Sequence, residues 1–349
     1  MYNNYKVVVN TAAGRRRYMQ YLIPFVVASD MVDRYDIWVN THNGAGIEFF
    51  RQVAAKFPKV NLIWQPDGIV DGNKSINAFY RGCVEENTIY FKLDDDIVWM
   101  EPGAIEKMVR FRVDNPEYFL VTPLVINNAL TTYLLQVHGK IKLDRYYNSS
   151  AAHPILWESG EFAKQLHQWF LNKRLYCDDY QSLHLNIGEG KMGMTRFSIN
   201  AILWFGEEMK RFDGIVPGDD EEFLSCIYPT MHGMCNCWNG GAIMAHFAFF
   251  TQREQLDKAG ILEQYGDYLS REWEKDEKMR SIHNTIQAIV KYVHDNEGTL
   301  TRMPSPYKKA DVIQKGILRK VYGKMPLPVR KAIKNMAMSM RATPNYIES

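Results

Sequence analysis

Cysteine is scarce in this chain: five in 349 residues, at positions 83, 177, 226, 235 and 237. The number is odd and the positions are scattered, which excludes a disulfide scaffold. Cys235-x-Cys237 lacks zinc-finger spacing and has no second pair, so a cysteine metal site is excluded too. Reduced thiols and a cytoplasmic location are the expectation. Long apolar runs are also missing. Nothing approaches the roughly 18 uninterrupted apolar residues of a membrane-spanning helix. The opening Met1-Tyr-Asn-Asn-Tyr-Lys runs straight into Val7-Val8-Val9, so no signal peptide is expected. There is no internal repeat and no low-complexity segment. What is present, 46% hydrophobic and 23% charged residues, is ordinary for a globular protein and excludes wholesale disorder or a collagen-like chain.

The net charge of +2 conceals an asymmetry. Between Lys308 and Arg341 stand seven Lys and three Arg against Asp311 alone, a local +9 that leaves −7 for the rest. A mildly acidic body with a basic tail suggests an anionic partner surface for the tail. Val329, Ala332, Ile333, Met336 and Met340 fall on one helical stripe, with Arg330, Lys331, Lys334 and Arg341 off it. That pattern fits a helix lying on an anionic membrane, or a terminal helix docked on the body. No recognition motif for nucleic acid is present, and none is expected as a partner.

The first 125 residues alternate strand-like and helix-like patterns. Strands are expected at 6–10, 35–40, 60–64, 88–94 and 118–122, and helices near 15–28, 47–56, 75–86 and 102–113. Alternation of this kind predicts an α/β fold, a mostly parallel sheet with helices on both faces. Its ligands bind at the carboxyl ends of the strands. Residues 128–195 show no clean period and read as an insertion, with one helix near 161–172. Strands resume at 196–204 and 241–249. Helices follow at 254–268 and 270–295, and Pro304 and Pro306 mark a linker into the tail. The expected organisation is a domain over 1–253, a helical extension over 254–303 and a tail over 304–349.

Three features carry chemistry. The first is Ile89-Tyr-Phe-Lys-Leu-Asp94-Asp95-Asp96, an apolar strand ending in three carboxylates. Three such groups repel one another unless a cation sits among them. In an extended chain Asp94 and Asp96 face one side, a donor pair suited to Mg2+ or Mn2+ and through it to phosphate oxygens. The second is Gly218-Asp219-Asp220-Glu221-Glu222 ahead of an apolar run. It reads either as an acidic first turn of a helix or as the source of a general base distinct from the metal ligands. The third is His246 in an apolar strand, a candidate third metal ligand beside the two acidic clusters.

Together these pieces resemble the GT-A fold glycosyltransferases, and most closely the inverting group called family 2, over about residues 6–249 without the insertion. Asp94-Asp95-Asp96 looks like that family's DxD motif, whose first Asp approaches the nucleotide ribose and whose last binds the metal. Phe197 to Trp204 followed by Phe212-Asp213-Gly214 is similar to the segment before its catalytic acids. Gly218-Asp219-Asp220 then matches the Gly-Glu-Asp form, with Asp219 in place of Glu and Asp220 as the implied base, and Glu221 beside it. The resemblance implies a divalent metal on Asp96 and His246, a nucleotide-diphosphate sugar as donor, and a glycan or lipid-linked hydroxyl as acceptor. It implies inversion at the anomeric carbon and a role in surface polysaccharide or glycoconjugate synthesis. It places donor contacts at Thr11, Ala13, Gly14 and Arg15 after the first strand, at Asn40, at Lys74 and Arg81, and at Asp94 and Asp95. The second strand ends Val39-Asn40-Thr41-His42 where the family often has an acid, which leaves the donor base open, with UDP as the default. In the insertion, Trp157, His167, Trp169 and Phe170 read equally as sugar-stacking rings or as a small satellite core. Rival readings are a nucleotidyltransferase, partly echoed in Ala13-Gly14-Arg15-Arg16-Arg17, and a catalytically inactive carbohydrate-binding or scaffold protein.

Overall fold

In the computed structural model, which describes residues 1–185, 189–192, 195–309 and 329, Val8 points to one side of a central sheet while Val7 and Val9 point to the other. The same alternation sets Tyr90 against Ile89 and Phe91, and Ile202 and Trp204 against Ala201 and Leu203. Strands buried on both faces need apolar residues at every position, which is why these runs show no polar alternation. Each fully buried Val, Leu or Phe contributes about 1.5–3 kcal/mol.

Among the described residues the sheet has nine strands: β1 (Lys6–Ala13), β2 (Arg34–Val39), β3 (Val60–Trp64), β4 (Thr88–Leu93), β5 (Ile97–Met100), β6 (Val121–Ile126), β7 (Glu189–Met192), β8 (Ala201–Phe205) and β9 (Asn236–His246). Their order is β3-β2-β1-β4-β8-β6-β9-β5, with β7 also on β9. Six strands run one way; β5, β7 and β8 run against them. The long helices are α1 (Arg16–Ala28), α2 (Gly44–Lys56), α3 (Ala104–Asp114), α4 (Ala129–Val137), α5 (Gly160–Phe170), α6 (Arg253–Lys258), α7 (Ile261–Trp273) and α8 (Glu277–Asp295). On the Val7 face pack Met19 and Leu22 of α1, Phe49 and Phe50 of α2, Met108 of α3 and Ile286 and Ile289 of α8. On the Val8 face pack Phe79 and Tyr80, Leu166 and Phe170 of α5, and Ile261 and Tyr265 of α7. The fold is the expected α/β layering, helices on both faces of a mixed sheet.

Several elements depart from expectation. The strand foreseen at 118–122 lies at Val121–Ile126, across Pro123. Proline has no N–H to give a ladder, and its partner β9 breaks register there, between Asn239 and Ile243. The helix foreseen over 75–86 is reduced to two turns, Gly72–Ser75 and Asn77–Tyr80. The antiparallel β5 and the pairing strand β7 are additions. The single helix expected over 254–268 divides at Gly260, which takes φ +62°. The next begins at Glu277, where the Asp276 carboxylate accepts from the Met279 N–H. Among the described residues no helix is long and apolar enough to cross a membrane. Residues 1–308 form one compact unit and 309–349 a second. The helices of 254–303 belong to the first. The amphipathic stripe of the tail lies outside the described residues, save for Val329.

Candidate active site

The carboxyl ends of β1, β2, β4 and β9 share one edge of the sheet with the starts of β5 and β8. That edge gathers Gly14 and Arg15, Asn40, the three aspartates, Asn200 and His246. Asp94 carries on from β4, its N–H bonded to the Asn200 carbonyl at 2.8 Å. Its carboxylate accepts from Lys92 Nζ at 2.5 Å and Asn200 Nδ2 at 3.0 Å. Asp95 turns the other way, beneath the loop after β1. It accepts from the backbone N–H groups of Gly14 and Arg15, both at 2.9 Å, and from the Arg15 guanidinium. Asp96 is buried, with Arg15 Nη1 at 2.9 Å, His246 Nε2 at 3.3 Å and Arg253 Nη2 at 3.8 Å.

Burial pushes the Asp95 carboxyl up, against the pull of Arg15. Burial also works against ionised Asp96, but Arg15, His246 and Arg253 outweigh it and hold that carboxyl below the usual range. Lys92 is buried, yet Asp94 and Asp220 keep its ammonium charged beyond the ordinary lysine range.

One ligand atom from each of Asp94, Asp96 and His246 lies within 4.8 Å of the others. With metal–oxygen bonds of about 2.1 Å, two ligands of one ion stand at most about 4.2 Å apart, so the three need only a small inward movement. His246 is 2% exposed and its Nδ1 has no hydrogen-bond partner. His246 turns Nε2 to Asp96 at 3.3 Å, and a buried nitrogen such as its Nδ1 is costly without a partner. Two oxygen donors and an imidazole suit Mn2+ or Mg2+. The residues present fit a divalent ion.

The second acidic cluster forms from a different turn. Gly218 takes φ +70°, and Asn77 Nδ2 clamps the carbonyls of Val216 and Gly218 at 2.7 and 2.9 Å. Asp219 caps the turn that follows, accepting from the Glu222 N–H. Asp220 is partly buried and accepts from the Tyr80 hydroxyl at 3.0 Å. Burial raises its carboxyl above the usual range, with Lys92 and Tyr80 opposing. Glu221 pairs with Arg196 Nε at 2.9 Å, yet burial, with Asp219 and Asp220 adding to it, pushes the carboxyl up to about 7.

Other expected contacts fall elsewhere. Thr11 is buried within β1, its hydroxyl accepting from Tyr35, and Ala13 is buried at the strand end. Asn40 holds the Gly72 carbonyl and the Ser75 hydroxyl. Lys74 pairs with Asp71 and Arg81 with Asp67; neither touches the acidic cluster. His167 and Phe170 are fully buried core residues rather than sugar-facing rings. His167 lies between Tyr265 Oη at 2.9 Å and the Phe247 carbonyl at 2.8 Å, and burial lowers its imidazole to about 4, leaving it neutral. Asn127 Nδ2 reaches the same carbonyl at 2.9 Å and also Gln252 Oε1 at 3.0 Å, while the Phe247 N–H bonds the Asp96 carbonyl at 2.8 Å. The insertion is thus tied to the residue beside His246. Trp157 sits edge-on to the exposed Phe250.

Lys92, Tyr80, Asn200, Arg196 and Arg253 escaped the sequence reading. Only Lys92 carried a signal: a lysine inside an apolar strand needs a buried anion.

No protein-family model and no curated protein matches the sequence. Several solved structures are similar to this chain over most of its length. Glucosyl-3-phosphoglycerate synthase from Mycobacterium tuberculosis, in complex with Mg2+ and uridine diphosphate, is 14% identical over 77% of this chain and 79% of its own, with a TM-score of 0.38. GalNAc-T7 with UDP, GalNAc and Mn2+ is 10% identical over 87% of this chain and 59% of its own, at 0.43. CMP:2-keto-3-deoxy-manno-octonic acid synthetase with CTP is 10% identical over 75% of this chain and 98% of its own, at 0.38.

Proposed function

We propose that this chain is a metal-dependent glycosyltransferase that moves a sugar from a nucleotide-diphosphate donor to a hydroxyl acceptor, inverting the anomeric centre. The supporting observation is two acidic groups of different character at one sheet edge. Asp94, Asp96 and His246 form a ligand set, and Asp220 stands apart from it, bonded to Tyr80 and facing the charge of Lys92. A divalent ion held there supplies charge neutralisation for the departing diphosphate. Asp220 takes the proton of the acceptor hydroxyl, a role its raised carboxyl suits better than a metal-bound one. Arg196 and Asn77 hold the loop that presents it. Residues 128–195 shape the acceptor side, and the cytoplasmic, peripheral-membrane placement belongs to the same proposal.

The test is a thermal-shift screen of nucleotide sugars with and without Mn2+, since a ligand bound only by the folded state raises its stability. Turnover of the best donor then follows with an acceptor library. Asp220→Asn should lose about 100-fold or more of turnover and keep donor affinity, the usual scale of general-base catalysis. Asp219→Asn and Glu221→Gln should keep most of theirs. Release of pyrophosphate instead of nucleoside diphosphate would move the chain to the nucleotidyltransferases. Donor binding without any turnover would leave a binding protein.

A further inference from the structure

A cavity of about 420 Å3 lies at the edge of the sheet opposite the acidic cluster, where α1, β5 and α7 end and α3 and α8 begin. Glu101 on its wall stands roughly 16 Å of extended chain beyond Asp96. Five rings line it: Phe25 of α1, Trp99 of β5, Tyr180 of the insertion, and Tyr268 and Trp273 of α7. Trp99 and Tyr180 meet at 5.3 Å and 69°, Phe25 and Trp273 at 5.4 Å and 71°, so neighbouring walls stand nearly at right angles. Among the described residues no Lys or Arg stands over any of these five rings, although Arg271 covers the adjoining Tyr176. The rest of the lining is acidic: Glu101, Glu106, Asp178, Glu272 and Asp276, against Lys278 alone. Glu101 is paired with Lys107 and bonded to His184, Glu272 pairs with Lys275, and Lys278 is engaged by Asp30 at 2.7 Å. Glu106 accepts from the Ser29 hydroxyl and Asp276 from the Met279 N–H. Lys59 lies near Glu106 but donates to the Ser29 carbonyl at 2.6 Å. Among the described residues Glu106, Asp178 and Asp276 have no ion pair.

We propose that this cavity is a second binding site, for a small organic ammonium cation such as a quaternary or alkylated amine. The inference goes beyond the glycosyltransferase reading and does not depend on it. The face of an aromatic ring is the negative part of its quadrupole, and it attracts a cation most strongly where water is excluded. Walls at right angles present such faces from several sides at once, which suits a tetrahedral ammonium with apolar substituents. The volume falls within the roughly 300–1,000 Å3 of small-molecule sites. The carboxylates without an ion pair supply the opposite charge. Burial first, then Glu272, Tyr180 and Asp178, push the Tyr268 phenol up, so the negative field reaches the ring wall. Other ligand classes fit less well. An anion would meet uncompensated carboxylates, and a metal ion prefers oxygen ligands to ring faces. A neutral sugar would stack on the rings but leave those charges without a partner.

Calorimetric titration of the full chain tests this with three probes: choline, its carbon isostere in which tert-butyl replaces trimethylammonium, and methyl glucoside. Wild type should bind choline at least about tenfold more tightly than either neutral probe. The double variant Asp178→Asn, Asp276→Asn should lose about tenfold of the choline affinity and bind the isostere as before. Asparagine tolerates the backbone at position 178, where φ is +51°, and still caps α8, so this variant should fold. Tyr180→Leu should weaken choline by a similar factor, and it decides the matter if the double variant melts early. Asp96→Asn, at the opposite edge, should bind choline as wild type does, which separates this cavity from the acidic cluster. Equal binding of choline and its isostere, tighter binding of the glucoside, or no binding of choline overturns the inference. So does a choline affinity unchanged in both cavity variants or lost in Asp96→Asn. Each of these results leaves the glycosyltransferase reading standing.

Discussion

Asp220 takes a hydrogen bond from Tyr80, and that bond favours its ionised form. Tyr80→Phe therefore raises the Asp220 pKa further. A base acts only when ionised, so the acid limb of the pH–rate profile should move to higher pH, with turnover at alkaline pH little changed. An unmoved limb would mean that another group sets it, and Glu221, pushed up to about 7, is the next to examine by Glu221→Gln. At this scale the sequence was legible where charge is dense and local. Asp94, Asp96 and Asp220 stand out because runs of carboxylates are costly unless something uses them. Tyr80, Asn200 and Arg253 did not stand out. Each is an ordinary residue in its own stretch and acquires a partner 106 to 157 positions away only when the sheet closes.

Gly214 follows the helical turn Gly206–Lys210 and joins two elements at close quarters. It takes φ +64°, and a Cβ placed on it would stand 2.3 Å from the Tyr80 carbonyl oxygen. Gly214→Ala meets both the left-handed penalty and a backbone clash, so a loss of about 2–4 kcal/mol is expected in urea unfolding. The displaced neighbour is Tyr80, so the same variant should show the shifted pH limb of Tyr80→Phe. A stable variant with a normal profile would show that the two segments slide freely. Elements with apolar runs were legible: β3 matches the expected 60–64, and β1, β2 and β4 differ by a few residues at their ends. The elements misread are those decided by partners. β6 crosses Pro123 because β9 bulges opposite it. Segment 75–86 keeps only short turns, from which Asn77 clamps the Gly218 loop and Tyr80 holds Asp220.

The layered α/β architecture was legible because alternation of apolar runs reflects a sheet buried on both faces; the mixed strand directions were not, since a strand carries no mark of its neighbour's direction. The chain leaves its main body at a pinned point. Tyr307 donates to the Val39 carbonyl at 2.6 Å and the Lys308 N–H to that of Gly68 at 2.9 Å. Ending the chain at Lys309 therefore keeps the pin and removes most of the basic tail. The shortened protein should no longer sediment with phosphatidylserine vesicles at low salt, while donor hydrolysis persists; equal sedimentation would place the membrane contact on the body. The polar knot at Phe247 has a different consequence. Asn127 and His167 meet at that one carbonyl, Gln252 is bonded to Asn127, and the Phe247 N–H donates to the Asp96 carbonyl. Replacing His167 would leave the buried Tyr265 hydroxyl without its partner and loosen the residue next to His246, so changes here are tolerated best in concert. Trp157, Tyr146 and Tyr176 lie outside the knot, the last two on open surface. The molecule thus separates a rim that selection can rewrite one residue at a time from a centre that it must inherit whole.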